Sequence, residues 1–201
     1  MPISPERGWI LYANCVKINE KRKEQGAKNE VWVWPLIRKF ILREGKMKGN
    51  EKIIEKLNDL LADELTAINQ YIVHSEMCAN WMYEKLHKAD EKRAVDEMKH
   101  AEKLIARILF LEGRPIVNNL KKITIGAEVE VQHKNDWAAE DGAIKSYNEG
   151  IKRAVELGDN GTRKLLESIL KDEEAHIDWL EAQLDQIKQM GIQNYLVEQT
   201  N

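Results

Sequence analysis

The sequence has few of the residues that mark a disulfide-bonded, loop-rich or membrane-spanning protein. It contains only two cysteines in 201 residues, Cys15 and Cys78, and they form neither a Cys-x-x-Cys pair nor another metal or disulfide pattern. Glycine (11) and proline (4) are sparse, which favours long helices. No apolar stretch approaches the roughly 20 residues that span a bilayer. We therefore expect a helix-rich protein of the reducing cytoplasm with no membrane partner.

Charge divides the chain into two unlike parts. Residues 1–46 hold 10 Lys/Arg and 5 Asp/Glu, a net charge of +5, whereas residues 47–201 hold 21 and 29, a net charge of −8. The first part shows no helical or strand period, and the second becomes regular at Met47. The sequence thus predicts an N-terminal extension followed by one helical domain. The total charge of −3 gives no reason to expect a nucleic-acid partner.

The N-terminal extension, residues 1–46, has two open interpretations. It lacks the apolar core of a secretory signal, and its five acids argue against a mitochondrial transit peptide. In one interpretation it is disordered, or it is not translated, because Arg43-Glu44-Gly45-Lys46 can be encoded by a purine-rich ribosome-binding site just before Met47. In the other it is a basic tail that touches nucleic acid or a membrane.

From Met47 onward, apolar residues recur at helical spacing in four long segments. The pattern predicts helices at about 50–82, 85–111, 129–157 and 162–189, with a short fifth helix at 192–199. In the first helix we expect a buried face that includes Leu57, Leu61, Ile68 and Ile72. The turn within each helix pair is short, whereas roughly 112–127 must run the length of the molecule. This organisation predicts an all-α four-helix bundle built from two hairpins.

Six acidic and histidine residues form one pattern that repeats at an offset of 76 residues. Each hairpin supplies a lone Glu and a Glu-x-x-His, and the members are Glu64, Glu97 and His100, then Glu140, Glu173 and His176. The pairs Tyr71/Tyr147 and Asp96/Asp172 keep the same offset. The six lie in apolar stripes, where an unpaired charge is costly. Four carboxylates and two imidazoles without a thiolate suit two iron or manganese ions. The alternatives are a buried polar network without metal and a different helical register in which these residues face water.

Longer segments around these residues match one known family. They are LTAINQY at 65–71, DEMKHA at 96–101, RILFLEG at 107–113, DEEAHIDWL at 172–180 and MGIQNYL at 190–196. On these segments residues 47–200 resemble bacterioferritin, the haem-containing bacterial ferritin, whereas residues 1–46 match nothing in the family. The resemblance implies a ferritin-like bundle with a long crossover between its second and third helices, a fold known for its di-iron carboxylate sites.

The resemblance also implies an activity and an assembly. It implies iron storage by a ferroxidase in which O2 or H2O2 oxidises two Fe(II) ions per subunit and ferric mineral collects in a homo-oligomeric shell of 24 subunits, built from twofold dimers. Glu97 and Glu173 would bridge the irons, with Glu64, His100, Glu140 and His176 as terminal ligands. A ferredoxin-type reductant is the implied protein partner.

Met98 is the residue on which a haem site depends. It lies about 100° around the helix from Glu97, away from the metal-facing stripe, and by itself indicates a surface or interface residue. The family uses the methionine at this motif position as an axial ligand, one from each of two subunits, so the resemblance implies haem b shared by two subunits.

Two other enzyme or binding classes share the fold. A di-iron peroxidase of the rubrerythrin kind has no support, because the chain lacks a Cys-x-x-Cys rubredoxin site. A DNA-protecting mini-ferritin forms its sites between subunits, whereas all six residues here fall within one four-helix unit.

Residues around the predicted centre carry weaker expectations. Tyr71 and Tyr147 face it and either hydrogen-bond its carboxylates or simply pack. Lys92 lies where some relatives carry an iron-binding His or acid, which argues against an accessory iron site on the inner surface. We expect three other histidines to be solvated or at interfaces, namely His74, His87 and His133.

Overall fold

The computed structural model describes residues 48–200, and the predictions made for residues 1–46 lie outside this range. Five helices and no strands occur in the described part: α1 Glu51–Asn80, α2 Glu84–Phe110, α3 Val129–Glu156, α4 Asn160–Met190 and α5 Ile192–Val197. The all-α prediction is confirmed, with the ends of the four long helices within about two residues of their predicted positions. None of the described helices is long and apolar enough to cross a membrane.

Local signals at the helix ends account for these bounds. The Asn50 side chain accepts a hydrogen bond from the Lys52 N–H at 2.9 Å and so caps α1, and Asp159 caps α4 through the Thr162 N–H at 2.9 Å. Gly191 adopts φ 78° directly after α4, a left-handed conformation that glycine tolerates and that stops the helix.

The four long helices form two antiparallel hairpins, α1–α2 and α3–α4, that pack against each other. Between the hairpins, α1 runs antiparallel to α3, with Gln70 bonded to Asp136 and Lys56 bonded to Ser146 further along. The apolar core lies between all four helices. The six repeated residues therefore project into the middle of one bundle, halfway along its helices.

The buried face of α1 differs from the prediction at Ile72. Leu57 and Leu61 are buried as expected, but Ile72 is 50% exposed. The inward stripe of α1 passes through Tyr71, and the next residue on a helix lies about 100° around the axis. Ile72 consequently points outward.

Two of the three histidines expected at the surface are buried. His74 is fully buried, and its Nδ1 lies 3.0 Å from an Asp136 oxygen. His133 is also buried, and its Nε2 lies 3.0 Å from the Tyr195 hydroxyl. The expectation of solvation was wrong for both, because hydrogen-bond partners from other helices satisfy them inside the bundle.

The crossover between α2 and α3, residues 111–128, is held by polar side chains of α1. Four residues of α1 accept backbone N–H groups of the crossover: Asn58, Thr66, Gln70 and His74 bond Ile116, Lys121, Thr124 and Gly126 at 2.8, 2.8, 2.9 and 3.0 Å. Their spacing in multiples of four places them in one row along the helix. This row fixes the course of a segment that has no secondary structure of its own.

Candidate metal centre

The six residues with the common offset come together and are buried. All four long helices contribute, and the exposed fractions are 3% for Glu64, 1% for Glu97, 2% for His100, 3% for Glu140, 1% for Glu173 and 8% for His176. A buried cluster of four acids is costly unless cations or protons compensate it. The sequence prediction that these residues share one site agrees with this placement.

The ligand atoms fall into two overlapping groups. In each group, one atom from each residue lies within 4.8 Å of the others, and the groups are Glu64, Glu97, His100, Glu173 and Glu97, Glu140, Glu173, His176. Glu97 and Glu173 belong to both groups. This is the geometry of two adjacent cation positions that share two carboxylates.

Both imidazoles present Nδ1 to the shared carboxylates. His100 Nδ1 lies 2.9 Å from Glu97 Oε2 and 3.1 Å from Glu173 Oε1, and His176 Nδ1 lies 3.1 Å from an oxygen of each. One Nδ1–H can donate a good hydrogen bond to only one of its two neighbouring carboxylates. As a result, Oε1 of Glu97 and Oε1 of Glu173 remain buried without a hydrogen-bond partner. Orphaned anionic oxygens between two nitrogens fit a pair of metal cations.

The cluster holds protons that a metal must displace. Burial raises the pKa of Glu64 well above its usual range. Burial acts in the same direction on Glu97, but hydrogen bonds from His100 and His176 outweigh it and bring the pKa to about 2. Burial lowers the pKa of His100, yet its carboxylate partners raise it to about 12. A metal that binds at these nitrogens would therefore release protons.

Two buried tyrosines reach across the bundle and hydrogen-bond the two carboxylates that are not shared, Glu64 and Glu140. The Tyr71 hydroxyl on α1 donates to Glu140 on α3, and the Tyr147 hydroxyl on α3 donates to Glu64 on α1. Of the two alternatives drawn from the sequence, hydrogen bonding to the carboxylates applies to both. Each tyrosine thereby restrains one of the two carboxylates that belong to a single ligand group.

Sequence reasoning missed Arg93 as part of this site. Its Nη1 lies 3.5 Å from Glu140 Oε1, and its guanidinium stacks over the rings of Tyr71 and Trp179, with centroids 5.7 and 5.5 Å away. The available signal was a break in the repeat, because the residue 76 positions later is the apolar Ile169. The role of Asp172 was also missed, and it lies 3.2 Å from His100 Nε2.

A cavity of about 340 Å³ adjoins the centre. The carboxylates of Glu64, Glu97, Glu140 and Glu173 line one part of it, and Asp63 and Lys121 line another. Lys121 is half-exposed and binds Asp63 at 2.6 Å. The cavity therefore links the buried carboxylates with the crossover.

Met98 lies apart from this cluster on the outer side of α2. It is 46% exposed, and Val95, one turn earlier on the same face, is 40% exposed. The outward position agrees with helical geometry, whereas haem ligation remains a prediction. Neither residue contributes to the buried centre.

Comparisons with known proteins agree with this architecture. A family model described as a ferritin-like domain matches residues 54–190. The bacterioferritin of Brucella melitensis biotype 1 is 41% identical over 149 residues, which cover 74% of this chain and 92% of that protein. The bacterioferritin of Rhodobacter capsulatus shows the same identity and coverage, and that of Mycolicibacterium paratuberculosis is 38% identical, with 94% of its length covered.

Proposed function

This chain belongs to the bacterioferritin family, and from that premise we propose that it stores iron and oxidises Fe(II) to Fe(III) at its buried centre. One observation carries the proposal. Glu97 and Glu173 are shared by two ligand groups, and each leaves a buried oxygen without a partner. All six residues belong to one chain, which is unlike the intersubunit sites of mini-ferritins.

The proposed ligand roles follow from charge and position. Glu97 and Glu173 would be shared by two ions, Glu64 and Glu140 would each bind one ion, and the remaining ligands would be Nδ1 of His100 and Nδ1 of His176. Four carboxylates balance the charge of two Fe(II) ions and favour Fe(III) after oxidation. Each imidazole binds only after losing its Nδ1 proton, so the ring must keep its proton on Nε2.

The proposed reaction balances with either oxidant. Two Fe(II), one O2 and two protons give two Fe(III) and one H2O2, whereas two Fe(II), one H2O2 and two protons give two Fe(III) and two water molecules. Tyr71 and Tyr147 hold Glu140 and Glu64 in place during this change in charge. The six residues are at most 8% exposed, and this burial strengthens each of these electrostatic contacts.

We further propose that the protein forms a 24-subunit shell with haem b between pairs of subunits. A single chain exposes several large apolar residues: Ile72, Val95, Met98, Leu109 and Phe110 are between 40% and 57% exposed. Exposed apolar groups of this kind favour burial between subunits. The Met98 thioether is a soft neutral ligand that suits haem iron, which would supply electrons for the release of stored iron.

Replacement of the shared carboxylates tests the ferroxidase proposal. The double variant Glu97→Ala/Glu173→Ala should lose fast Fe(II) oxidation, at least about a hundredfold, because both ions lose their common ligands. Removing mutually repelling buried acids need not destabilise the bundle. Stopped-flow absorbance after anaerobic mixing with Fe(II) and then O2 measures the rate.

A matched control lies on the same two helices. Glu102→Ala/Glu174→Ala removes two exposed glutamates and should leave the rate unchanged. Circular dichroism and native mass must be the same for both double variants. An unchanged oxidation rate in the Glu97/Glu173 variant would contradict the proposal that Fe(II) is oxidised at this centre.

A further inference from the structure

The internal repeat allows the two halves of the centre to be compared position by position. The first subsite is defined by Glu64 and His100, and the second by Glu140 and His176, with Glu97 and Glu173 common to both. The ligands themselves are equivalent under the 76-residue offset. Two neighbouring side chains break this equivalence, and they act on opposite subsites.

The first difference is a buried cation beside the second subsite. Arg93 Nη1 lies 3.5 Å from Glu140 Oε1, and the Arg93 side chain is only 11% exposed. Its counterpart under the offset is Ile169, which is apolar and fully buried. Within residues 48–200, no Lys or Arg lies within 4.0 Å of Glu64. A fixed guanidinium repels a divalent cation and competes with it for Glu140.

The second difference is an anion behind the first subsite. The Asp172 carboxylate lies 3.2 Å from His100 Nε2, while Lys103 approaches the same oxygen at 3.7 Å. A histidine that donates Nε2–H to a carboxylate is a stronger ligand through Nδ1. The counterpart, Asp96, makes no hydrogen bond to His176 within the described residues. It accepts instead from two lysines of its own helix, Lys92 and Lys99, at 2.8 and 2.9 Å.

We propose that the two subsites differ in affinity, that the first fills before the second, and that Arg93 and Asp172 set this order. The inference rests on the proposed dinuclear centre and goes beyond it. Asp172 strengthens the first subsite and Arg93 weakens the second, so both contacts act in the same direction. Because two electrons require two irons, the weaker second subsite sets the Fe(II) concentration at which oxidation begins.

Titration of the iron-free, full-length protein with Co(II) tests the order without the redox reaction. Calorimetry and the Co(II) visible spectrum should resolve two binding steps per subunit, at least about tenfold apart in affinity. Glu64→Gln should remove the tight step, and Glu140→Gln should remove the weak one. These two variants assign each step to its subsite.

Variants of the two neighbouring residues test the cause. Arg93→Gln should strengthen the weak step about tenfold, and Arg93→Lys, which keeps the charge, should restore the separation. Asp172→Asn should weaken the tight step about tenfold, whereas Asp96→Asn should leave both steps unchanged. Asp172 is half-exposed, so its substitution does not threaten the core if Arg93→Gln fails to fold.

The outcomes separate this inference from the proposed function. Two Co(II) steps of equal affinity, or a weak step that Arg93→Gln weakens further, would overturn the proposed order and leave the dinuclear centre standing. Failure to bind two Co(II) ions at the six residues would overturn the centre and this inference together.

Discussion

At the scale of single residues, buried acids outside the metal centre also shape the protein. Asp90 is 4% exposed, and its nearest hydrogen-bond partner is the Cys78 thiol at 3.9 Å. Burial, together with the charge of Asp136, raises the pKa of Asp90 well above the usual 3.8. The folded protein therefore keeps a proton that the unfolded chain loses. The contribution of Asp90 to the free energy of unfolding is therefore full below about pH 4 and is lost as the pH rises through the folded pKa.

Replacing Asp90 by Asn should consequently stabilise the protein at neutral pH. We expect a gain of about 1–3 kcal/mol at pH 7 that disappears near pH 4, because an amide carries no charge to desolvate. Thermal unfolding at several pH values measures this, with the exposed Asp178→Asn as control. Destabilisation of the Asp90→Asn protein at every pH would contradict a raised pKa.

The repeat predicted correctly that its six acidic and histidine residues lie together, whereas their binding of metal stays a prediction. The 76-residue offset and the apolar neighbours were enough to bring Glu64 and Glu140 to one site. Arg93 and His74 could not be assigned in the same way. A helical period indicates which side of a helix faces inward, but it does not tell which side chain of a distant helix will meet it there.

At the scale of elements, α1 contacts the core, the proposed metal centre and the crossover. It packs in the core, supplies Glu64 and Tyr71 to the centre, and accepts four hydrogen bonds from the crossover. The helix bounds could be predicted because capping residues and glycines lie close in sequence to the ends they determine. The path of the crossover could not be predicted, since each of these four bonds to α1 joins residues more than 50 positions apart.

Removal of one of the four hydrogen bonds between the crossover and α1 should lower the local stability of the crossover. Gln70→Ala leaves the Thr124 N–H without its acceptor and removes the bond from Gln70 to Asp136, so we expect a loss of about 1–3 kcal/mol. Amide hydrogen exchange should become faster around residues 121–126. Asn69→Ala, which bonds only within α1, should change neither quantity. Unchanged exchange in Gln70→Ala would show that packing alone holds the crossover.

At the scale of the whole molecule, the described residues include exposed apolar side chains, which we propose are buried between subunits. The match to the ferritin-like family lies within the domain that we propose for residues 47–201. All six residues of the proposed metal centre belong to one chain, whereas a haem bound by Met98 would need two. The two proposed functions therefore depend on different levels of organisation and can be separated by substitution.

Met98→Leu makes that separation. Leucine keeps the volume and apolarity but offers no lone pair to iron, so the variant should lose low-spin haem, while the shell and the rate of Fe(II) oxidation stay within about twofold of the original. The visible spectrum and native mass of protein purified after expression with haem supply check this. A low-spin haem spectrum that persists in the variant would exclude Met98 as the ligand.

Anomalous diffraction from crystals loaded with Fe(II) without oxygen tests the dinuclear centre most directly. We predict two iron peaks per subunit, about 3.5–4 Å apart, both in contact with Glu97 and Glu173. Each peak should lie about 2.1 Å from Nδ1 of one histidine, His100 or His176. A single peak, or no peak between the two shared carboxylates, would contradict the account.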